Sequence, residues 1–233
     1  RVVKAIGSLA TLGVDPVWDV QVIVAVNAKS ELSRKAVNDR LQAELNPNGE
    51  SRKGIAFRVG DKIVCLKNGL CLADENDPLF NHEAIDGKVF IANGEIGRAV
   101  EIAEKIVIAE FEAPKRRIKI ITAGEESADD EKSSDDSGAN GSKFDLAYAI
   151  SCHKSQGSEF PFVFIALDEY AGARMVCSRE WLYTAISRAK RACLLVGKMG
   201  TADGMIRRRA LSKRKTFLAE LIREQLATAS ATS

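Results

Sequence analysis

Short hydrophobic runs and amphipathic stretches alternate near the start of the chain. Residues 20–26 (VQVIVAV) form an almost continuous run rich in β-branched side chains, which is typical of a parallel strand buried on both faces. Val37, Leu41 and Leu45 then recur every four residues, so the pattern predicts a helix over residues 32–45. An Asn-Pro-Asn-Gly sequence follows and ends this helix. A strand followed directly by a helix predicts α/β architecture.

The pattern changes to short β-like pieces between residues 55 and 121. Turn signals such as Asn68-Gly69 and Asn93-Gly94 separate many of these pieces. The predicted strands cover residues 55–57, 62–66, 88–91, 97–102, 105–111 and 117–121. Several short strands at this spacing predict a small, mostly antiparallel barrel.

The α/β pattern returns after an acidic stretch. Residues 162–167 (FVFIAL) and 192–196 (ACLLV) predict two more buried strands, and residues 147–151 predict a weaker one. Ser178 is a predicted N-cap for a helix over residues 179–189. We therefore predict one parallel sheet with helices on both faces, interrupted by a β module.

The net charge of +2 hides two charged segments of opposite sign. Residues 125–142 hold seven acidic residues and one lysine, which predicts a flexible linker. Removing these from the totals of 32 acidic and 34 basic residues leaves 25 acidic and 33 basic residues. Eight basic residues lie near the end of the chain: Lys198, Arg207, Arg208, Arg209, Lys213, Arg214, Lys215 and Arg223. This basic run suits either phosphate contact or a solvated helix face.

Composition narrows the class of protein further. A hydrophobic content of 45% excludes a disordered chain, and no stretch approaches the roughly 20 apolar residues that span a bilayer. No signal peptide is seen at the start, and the five cysteines form no C-x-x-C pair, so we expect a cytoplasmic protein with no membrane partner. Since the first residue is Arg1 and not Met, we expect a fragment of a longer protein.

Candidate chemistry concentrates in two places. The turn from His153 to Glu159 (HKSQGSE) is dense in hydrogen-bonding groups and follows a predicted parallel strand, where open α/β sheets bind ligands. Arg188 lies near the end of a predicted helix, where its planar guanidinium suits a phosphate. The alternatives are an ordinary polar loop and an arginine that caps its helix.

Several common sites are absent from the sequence. There is no G-x-x-x-x-G-K-[ST] phosphate-binding loop and no G-x-S-x-G nucleophile motif. Cys152-His153 alone is a weak zinc signal, and we predict no metal site in this chain.

The two candidate segments resemble motifs of superfamily 1 helicases. AYAISCHKSQGSEFPFVFI resembles motif V, and LYTAISRAKRACLLVG resembles motif VI. DPVWDVQVIVAV with NDRLQAELNP, FRVGDKIVCLKN and NGEIGRAVEI look like further segments of the RecD-like, 5′-to-3′ branch, which includes the exodeoxyribonuclease V alpha subunit. Five segments in the right order cover nearly the whole chain except the acidic linker and the basic tail.

The resemblance implies roles for individual residues. Arg188 matches the motif VI arginine that contacts the γ-phosphate, and it is the candidate catalytic residue. Gly157 and Glu159 match motif V positions close to the nucleotide, with Glu159 towards the ribose. The predicted DNA-binding residues are His153, Lys154 and Ser155.

The resemblance also implies an organisation and a function. The fold would be a RecA-like parallel sheet, the second motor domain, with a Src-homology-3-like barrel inserted. The segments are residues 1–54 and 143–233 for the RecA-like domain, 55–122 for the barrel and 123–142 for the linker. The function is that of an ATP-dependent DNA helicase, which moves along single-stranded DNA in DNA repair and recombination.

The implied partners and alternatives follow from what this chain lacks. ATP and Mg²⁺ are implied for the full-length protein, together with single-stranded DNA, an N-terminal RecA-like domain in cis and possible nuclease or helicase subunits. Because the fragment has no phosphate-binding loop, we expect it to be inactive alone. A non-catalytic nucleic-acid-binding module and the helicase part of a conjugative relaxase remain the alternatives.

Overall fold

The computed structural model describes residues 2–76, 85–112, 114–122, 141–210, 217 and 220–223. Most of the predicted acidic linker and much of the basic tail, including Lys213, Arg214 and Lys215, lie outside these residues. No described helix is both long enough and apolar enough to cross a membrane. All five cysteines are free thiols.

The strands belong to two main sheets and one ribbon. The strands are β1 (Val20–Val24), β2 (Lys62–Cys65), β3 (Gly69–Leu72), β4 (Lys88–Ile91), β5 (Ile96–Ile102), β6 (Ile106–Glu112), β7 (Lys115–Ile121), β8 (Phe144–Leu146), β9 (Ala149–Ser151), β10 (Phe160–Ala166) and β11 (Ala189–Val196). The helices are α1 (Val2–Ala10), α2 (Arg34–Leu45), α3 (Ala171–Val176), α4 (Arg179–Ile186) and α5 (Met199–Arg207).

The first sheet is parallel, with the strand order β11-β10-β1-β9. Successive side chains of β1 enter two different hydrophobic clusters, because side chains alternate across a strand. Val22 and Val24 pack in one cluster with residues of α1 and α2. Ile23 packs in the other with residues of α3, α4 and α5. The predicted parallel sheet with helices on both faces is therefore confirmed.

Helix α4 ends earlier than the sequence pattern predicts. Ser178 is the N-cap, as expected, and its hydroxyl accepts a hydrogen bond from the Trp181 amide at 3.3 Å. The helix stops at Ile186 and not at residue 189, because β11 begins at Ala189. The Phe160 amide of β10 then donates to the Arg188 carbonyl at 2.9 Å, so Arg188 lies in a turn between helix and strand.

The second sheet is antiparallel, with the order β7-β6-β5-β2-β8. Strands β3 and β4 form a separate ribbon, which a bridge between Ala73 and Ile118 connects to β7. The strands predicted between residues 62 and 121 are found within one or two residues of their expected bounds, whereas residues 55–57 form none. Strand β8 pairs with β2 although the predicted boundaries place residue 143 onwards in the RecA-like part.

A buried lysine lies where the two sheets meet. The side chain of Lys62 in β2 is 1% exposed, and its ammonium donates to the Val17 carbonyl at 3.0 Å and the Val20 carbonyl at 3.2 Å. The rings of Trp18 and Phe160 lie 5.7 and 5.4 Å from the same nitrogen. Burial lowers the pKa of Lys62 to about 7, against the opposing effect of Asp15 and Asp19.

This pKa predicts how stability depends on pH. Between about pH 7 and 10.5 an unfolded chain holds a proton on residue 62 that the folded protein has released, so the free energy of unfolding rises with pH. We expect a rise from pH 7 to 9 of about 2 kcal/mol that is missing in Lys62→Met. Urea denaturation at both pH values measures it. Lys4→Met, which replaces an exposed lysine, is the control and should keep the rise. If the free energy of unfolding depended on pH equally in Lys62→Met and in the unsubstituted chain, the prediction would be wrong.

Candidate functional site

The turn after β9 carries the chain from the carboxyl end of that strand to the start of β10. Its backbone is held by hydrogen bonds from the Lys154 amide to the Ser151 carbonyl at 2.9 Å and from the Ser158 amide to the Ser155 carbonyl at 3.1 Å. Gly157 has a φ of +84°, which favours glycine, and a Cβ added there would meet open space. This turn, residues 152–159, is called the β9–β10 turn below.

Two side chains of the β9–β10 turn point into the protein. Ser155 is fully buried, and its hydroxyl donates to the Cys152 carbonyl at 2.8 Å. The Cys152 thiol lies 3.6 Å from the Trp181 carbonyl of α4. Burial raises the pKa of Cys152 to about 11, although the charge of Arg188 and the hydrogen bond with Ser155 lower it. Cys152 is therefore a protonated core residue at neutral pH.

Lys154 reaches from the β9–β10 turn to the antiparallel sheet. Its ammonium donates to the Leu66 carbonyl at 2.7 Å and to the side-chain oxygen of Asn93. Burial lowers the pKa of Lys154, with a further lowering by Arg34 and an opposing effect of Cys65. His153, the neighbouring residue, is exposed. Of the three predicted DNA-binding residues, His153 is exposed, Lys154 is half-buried and Ser155 is buried, and the roles of all three stay predictions.

Arg188 lies at the opposite end of this turn. Its Nε donates to the Thr184 carbonyl at 3.1 Å, Nη1 to the Ser158 carbonyl at 3.3 Å, and Nη2 to the Ser187 hydroxyl at 3.1 Å. The hydrogen bond to Thr184 is typical of a helix-capping arginine, whereas the hydrogen bond to Ser158 joins the segment that resembles motif VI to the segment that resembles motif V. The guanidinium therefore lies between the end of α4 and the β9–β10 turn.

The charge of Arg188 is not compensated by a carboxylate within the described part of the chain. The three acceptors are two carbonyls and a hydroxyl, and the side chain is half-buried. Each terminal nitrogen of a guanidinium carries two N–H groups, so one on Nη1 and one on Nη2 are left over by these contacts. Two adjacent donors on a half-buried cation suit bidentate binding of an anion.

Glu159 lies beside the Ser158 carbonyl that Arg188 contacts. Its carboxylate is 59% exposed and lies 3.5 Å from the Lys190 ammonium of β11, which is 57% exposed. Such an exposed ion pair is weak, so the carboxylate can exchange partners at little cost. The structure thus brings Glu159, Gly157 and Arg188 to one end of the turn, while His153 and Lys154 lie at the other. The predicted roles of Gly157 and Glu159 at a nucleotide remain predictions.

Sequence reasoning missed the residues that surround these side chains. Neither Asn93 nor Leu66 was a candidate partner of Lys154, and Lys190 was not a candidate partner of Glu159. The available signal was the NGE turn at residues 93–95, which was assigned only to the barrel. A resemblance by motif does not show which turn of one module contacts which turn of another.

The residues present fit a phosphate group better than a metal ion. The guanidinium of Arg188, which no carboxylate of the described residues compensates, provides N–H donors from which the oxygens of an ATP phosphate would accept hydrogen bonds. Within the described ranges, no three or more His, Cys, Asp or Glu side chains are grouped to hold a metal. No ligand of Mg²⁺ is therefore assigned to a residue of this chain.

Residues 146–196 match the family of UvrD-like helicase C-terminal domains. This range contains the β9–β10 turn, β10, α4 and Arg188, which are the segments that resemble motifs V and VI. The match covers less than a quarter of the 233 residues. It agrees with the helicase resemblance at these segments.

Solved structures with a similar arrangement include Pif1 helicases. One from Bacteroides, in complex with ADP-AlF3 and ssDNA, is 19% identical with a TM-score of 0.44, over 90% of this chain and 45% of that chain. A Bacteroides Pif1 bound to ssDNA is 14% identical with a TM-score of 0.44, over 97% and 50%. A Pif1 helicase from Candida albicans is 12% identical with a TM-score of 0.41, over 79% and 46%. The chain spans about half the length of these proteins, and none of them is described as RecD-like.

Proposed function

We propose that this chain is the C-terminal motor domain of an ATP-dependent DNA helicase that moves along single-stranded DNA. The observation that carries the proposal is the position of Arg188, whose uncompensated guanidinium contacts the β9–β10 turn through Ser158. The match of residues 146–196 to UvrD-like helicase C-terminal domains supports it.

Arg188 would supply positive charge in the proposed reaction. In phosphoryl transfer, negative charge on the transferred group is stabilised by such an arginine, often from another domain. The hydrogen bond from Nε to Thr184 fixes the plane of the guanidinium. The remaining N–H groups of Nη1 and Nη2 would then bind two oxygens of the γ-phosphate, which a partner RecA-like domain would hold. Mg²⁺, bound with ATP by that partner domain, would neutralise further phosphate charge.

The β9–β10 turn would connect nucleotide to DNA. Ser158 contacts Arg188 at one end of the turn, and the exposed His153 lies near the other. Glu159, with its weak partner Lys190, would accept from the ribose of the nucleotide. A movement of the turn on nucleotide binding would therefore reach a DNA strand at the carboxyl end of β9. Closing and opening of the two motor domains would ratchet the strand past this turn.

The finer proposal is that the parent protein is a RecD-like, 5′-to-3′ helicase of DNA repair and recombination in the cytoplasm, with nuclease or helicase subunits as candidate partners. The five sequence segments and the antiparallel module between α2 and β9 support this branch.

The test is ATP hydrolysis and unwinding by the longer protein that carries this domain. We expect single-stranded DNA to stimulate hydrolysis, duplexes with a 5′ tail to be unwound in preference to those with a 3′ tail, and the 233-residue chain alone to hydrolyse no ATP. A longer protein without DNA-stimulated hydrolysis, but with salt-dependent DNA binding, would favour the non-catalytic module instead. Preference for a 3′ tail would overturn only the RecD-like assignment.

A further inference from the structure

We propose that Lys154 is a positioning residue, which fastens the β9–β10 turn to the tip of the antiparallel sheet and so holds Ser158 against Arg188. The sheet tip is defined as residues 66–68, which follow β2, and residues 92–95, which precede β5. This inference goes beyond the proposed function, since it assigns the antiparallel sheet a part in setting the geometry at Arg188. Only its effect on turnover depends on that function.

The sheet tip is itself tightly held. The Gly94 amide donates to the Cys65 carbonyl at 2.8 Å, and the Cys65 amide donates to the Glu95 carbonyl at 2.9 Å. The Asn93 amide donates to the side-chain oxygen of Asn68 at 2.6 Å. These bonds join the end of β2 and the residues that follow it to residues 92–95. The segments that carry the Leu66 carbonyl and the Asn93 side chain, the two acceptors of Lys154, therefore have fixed positions.

Lys154 contacts this tip through both its side chain and its backbone. The ammonium donates to the Leu66 carbonyl and the Asn93 side-chain oxygen, which engage two of its three N–H groups. A Cβ added to Gly94 would lie 3.3 Å from the Lys154 carbonyl, so the two backbones are in close approach. Gly94 has a φ of +91°, which also favours glycine there.

A continuous set of hydrogen bonds leads from Lys154 to Arg188. The amides of Lys154 and Ser155 both donate to the Ser151 carbonyl, and the Ser158 amide donates to the Ser155 carbonyl. Arg188 in turn donates to the Ser158 carbonyl. The fully buried Ser155 fixes the middle of this path. A lysine whose only role was to bind a DNA phosphate would need none of these contacts with the sheet tip.

The variants that test this proposal change the two sides of the contact between Lys154 and the sheet tip. Asn93→Ala removes one of the two acceptors of Lys154, keeps the Leu66 carbonyl and leaves every residue of the β9–β10 turn unchanged, whereas Lys154→Met removes the donor of both hydrogen bonds. Lys67→Met, an exposed lysine on the same sheet tip, is the matched control. Asn93→Asp keeps an acceptor oxygen and tests rescue.

Hydrogen–deuterium exchange of the 233-residue chain gives the first measurement. We expect the amides of residues 154–158 to exchange about tenfold faster in Lys154→Met and severalfold faster in Asn93→Ala, which keeps the Leu66 acceptor, with the double variant no faster than Lys154→Met. Lys67→Met and Asn93→Asp should match the unsubstituted chain. Unchanged exchange in Asn93→Ala, or strict additivity of the two substitutions, would overturn the proposal. If Lys154→Met loses protection throughout the chain because it does not fold, the exchange of Asn93→Ala alone decides.

Turnover by the longer protein gives the second measurement. Asn93→Ala should lower kcat by roughly fivefold while the Kd for a single-stranded oligonucleotide stays within about twofold, because Asn93 acts through position and not through DNA contact. A weakened Kd with unchanged kcat would assign Lys154 and its neighbours to DNA binding instead and overturn the proposal. Absence of any ATPase would overturn the proposed helicase function, and the exchange result would still decide whether Lys154 fastens the β9–β10 turn to the sheet tip.

Discussion

Replacing Arg188 with alanine in the longer protein is expected to lower kcat for DNA-stimulated ATP hydrolysis by about 10³-fold or more, with KM for ATP changed by less than about threefold. The reason is that the guanidinium would act on charge that develops in the transition state, and most ATP contacts would come from the partner domain. Steady-state hydrolysis over a range of ATP concentrations measures both constants. Arg188→Lys keeps the charge but loses the planar fork, so an intermediate rate is expected.

Arg191→Ala is the matched control for this substitution. Its guanidinium lies over the Phe162 ring at 5.3 Å and, among the described residues, makes no hydrogen bond or ion pair with the β9–β10 turn. We expect its turnover to stay within about twofold of the unsubstituted protein, since it would not touch the nucleotide. If Arg188→Ala hydrolysed ATP at the normal rate, the catalytic role of Arg188 would be wrong.

Replacing Asp61 with alanine is expected to lower the free energy of unfolding by about 3–5 kcal/mol. Asp61 is fully buried and accepts from four donors: Gln42 Nε2 at 2.5 Å, Asn46 Nδ2 at 2.7 Å, the Arg58 amide at 2.7 Å and the Tyr148 hydroxyl at 2.8 Å. Burial and the Asp61 carboxylate raise the pKa of Tyr148, so its hydroxyl stays protonated as a donor. Without the carboxylate, four polar groups lose their acceptor together.

Urea denaturation of the 233-residue chain measures this loss. Asp39→Ala is the matched control, because Asp39 lies on the surface of α2, is 56% exposed and has a 3.4 Å ion pair with Lys35. Its loss should cost less than about 0.5 kcal/mol. A similar, small effect of both substitutions would show that water replaces the Asp61 acceptor and that the network adds no stability.

The sequence predicted the parallel sheet because its strands leave a strong signal. Strands β1 and β10 are buried on both faces, so they read as near-continuous apolar runs. The signal was weaker for β3, which begins with Gly69, and for β8, which has only three residues. Short strands depend on a partner far along the chain, and local patterns do not report that partner.

Charged residues in the core were harder to predict. Asp61 and Lys62 follow each other in a turn-like sequence, which ordinarily predicts a solvated site. Both are buried because fixed acceptors and donors surround them: two backbone carbonyls for Lys62, and four donors for Asp61. Apart from the nearby Arg58 amide, these partners come from α2 and its C-cap, from the loop before β1 and the first residue of β1, and from the connection of β8 to β9, which only the folded chain brings together.

The candidate site was predicted as a segment and not as an arrangement. Motif spacing located the β9–β10 turn and Arg188, and the structure adds that Arg188 donates a hydrogen bond to the Ser158 carbonyl of this turn. Motif spacing could not show that the turn runs from the carboxyl end of β9 to the amino end of β10, at the opposite end of the parallel strands, which separates Lys154 from Glu159. It also could not show that Lys154 is held by Asn93, since that contact depends on how a second sheet is placed.

The pairing of β8 with β2 affects how the chain acquires its structure during synthesis. Strands β7 and β8 lie at opposite edges of the antiparallel sheet, although they are consecutive in the chain. A nascent chain that ends at residue 122 would hold β2 with one edge unpaired. Its partner emerges only two residues before β9, which pairs with β1. The same short length of newly made chain therefore completes the antiparallel sheet and supplies the first strand that pairs with β1 in the parallel sheet, so neither sheet can finish as a module independent of the other.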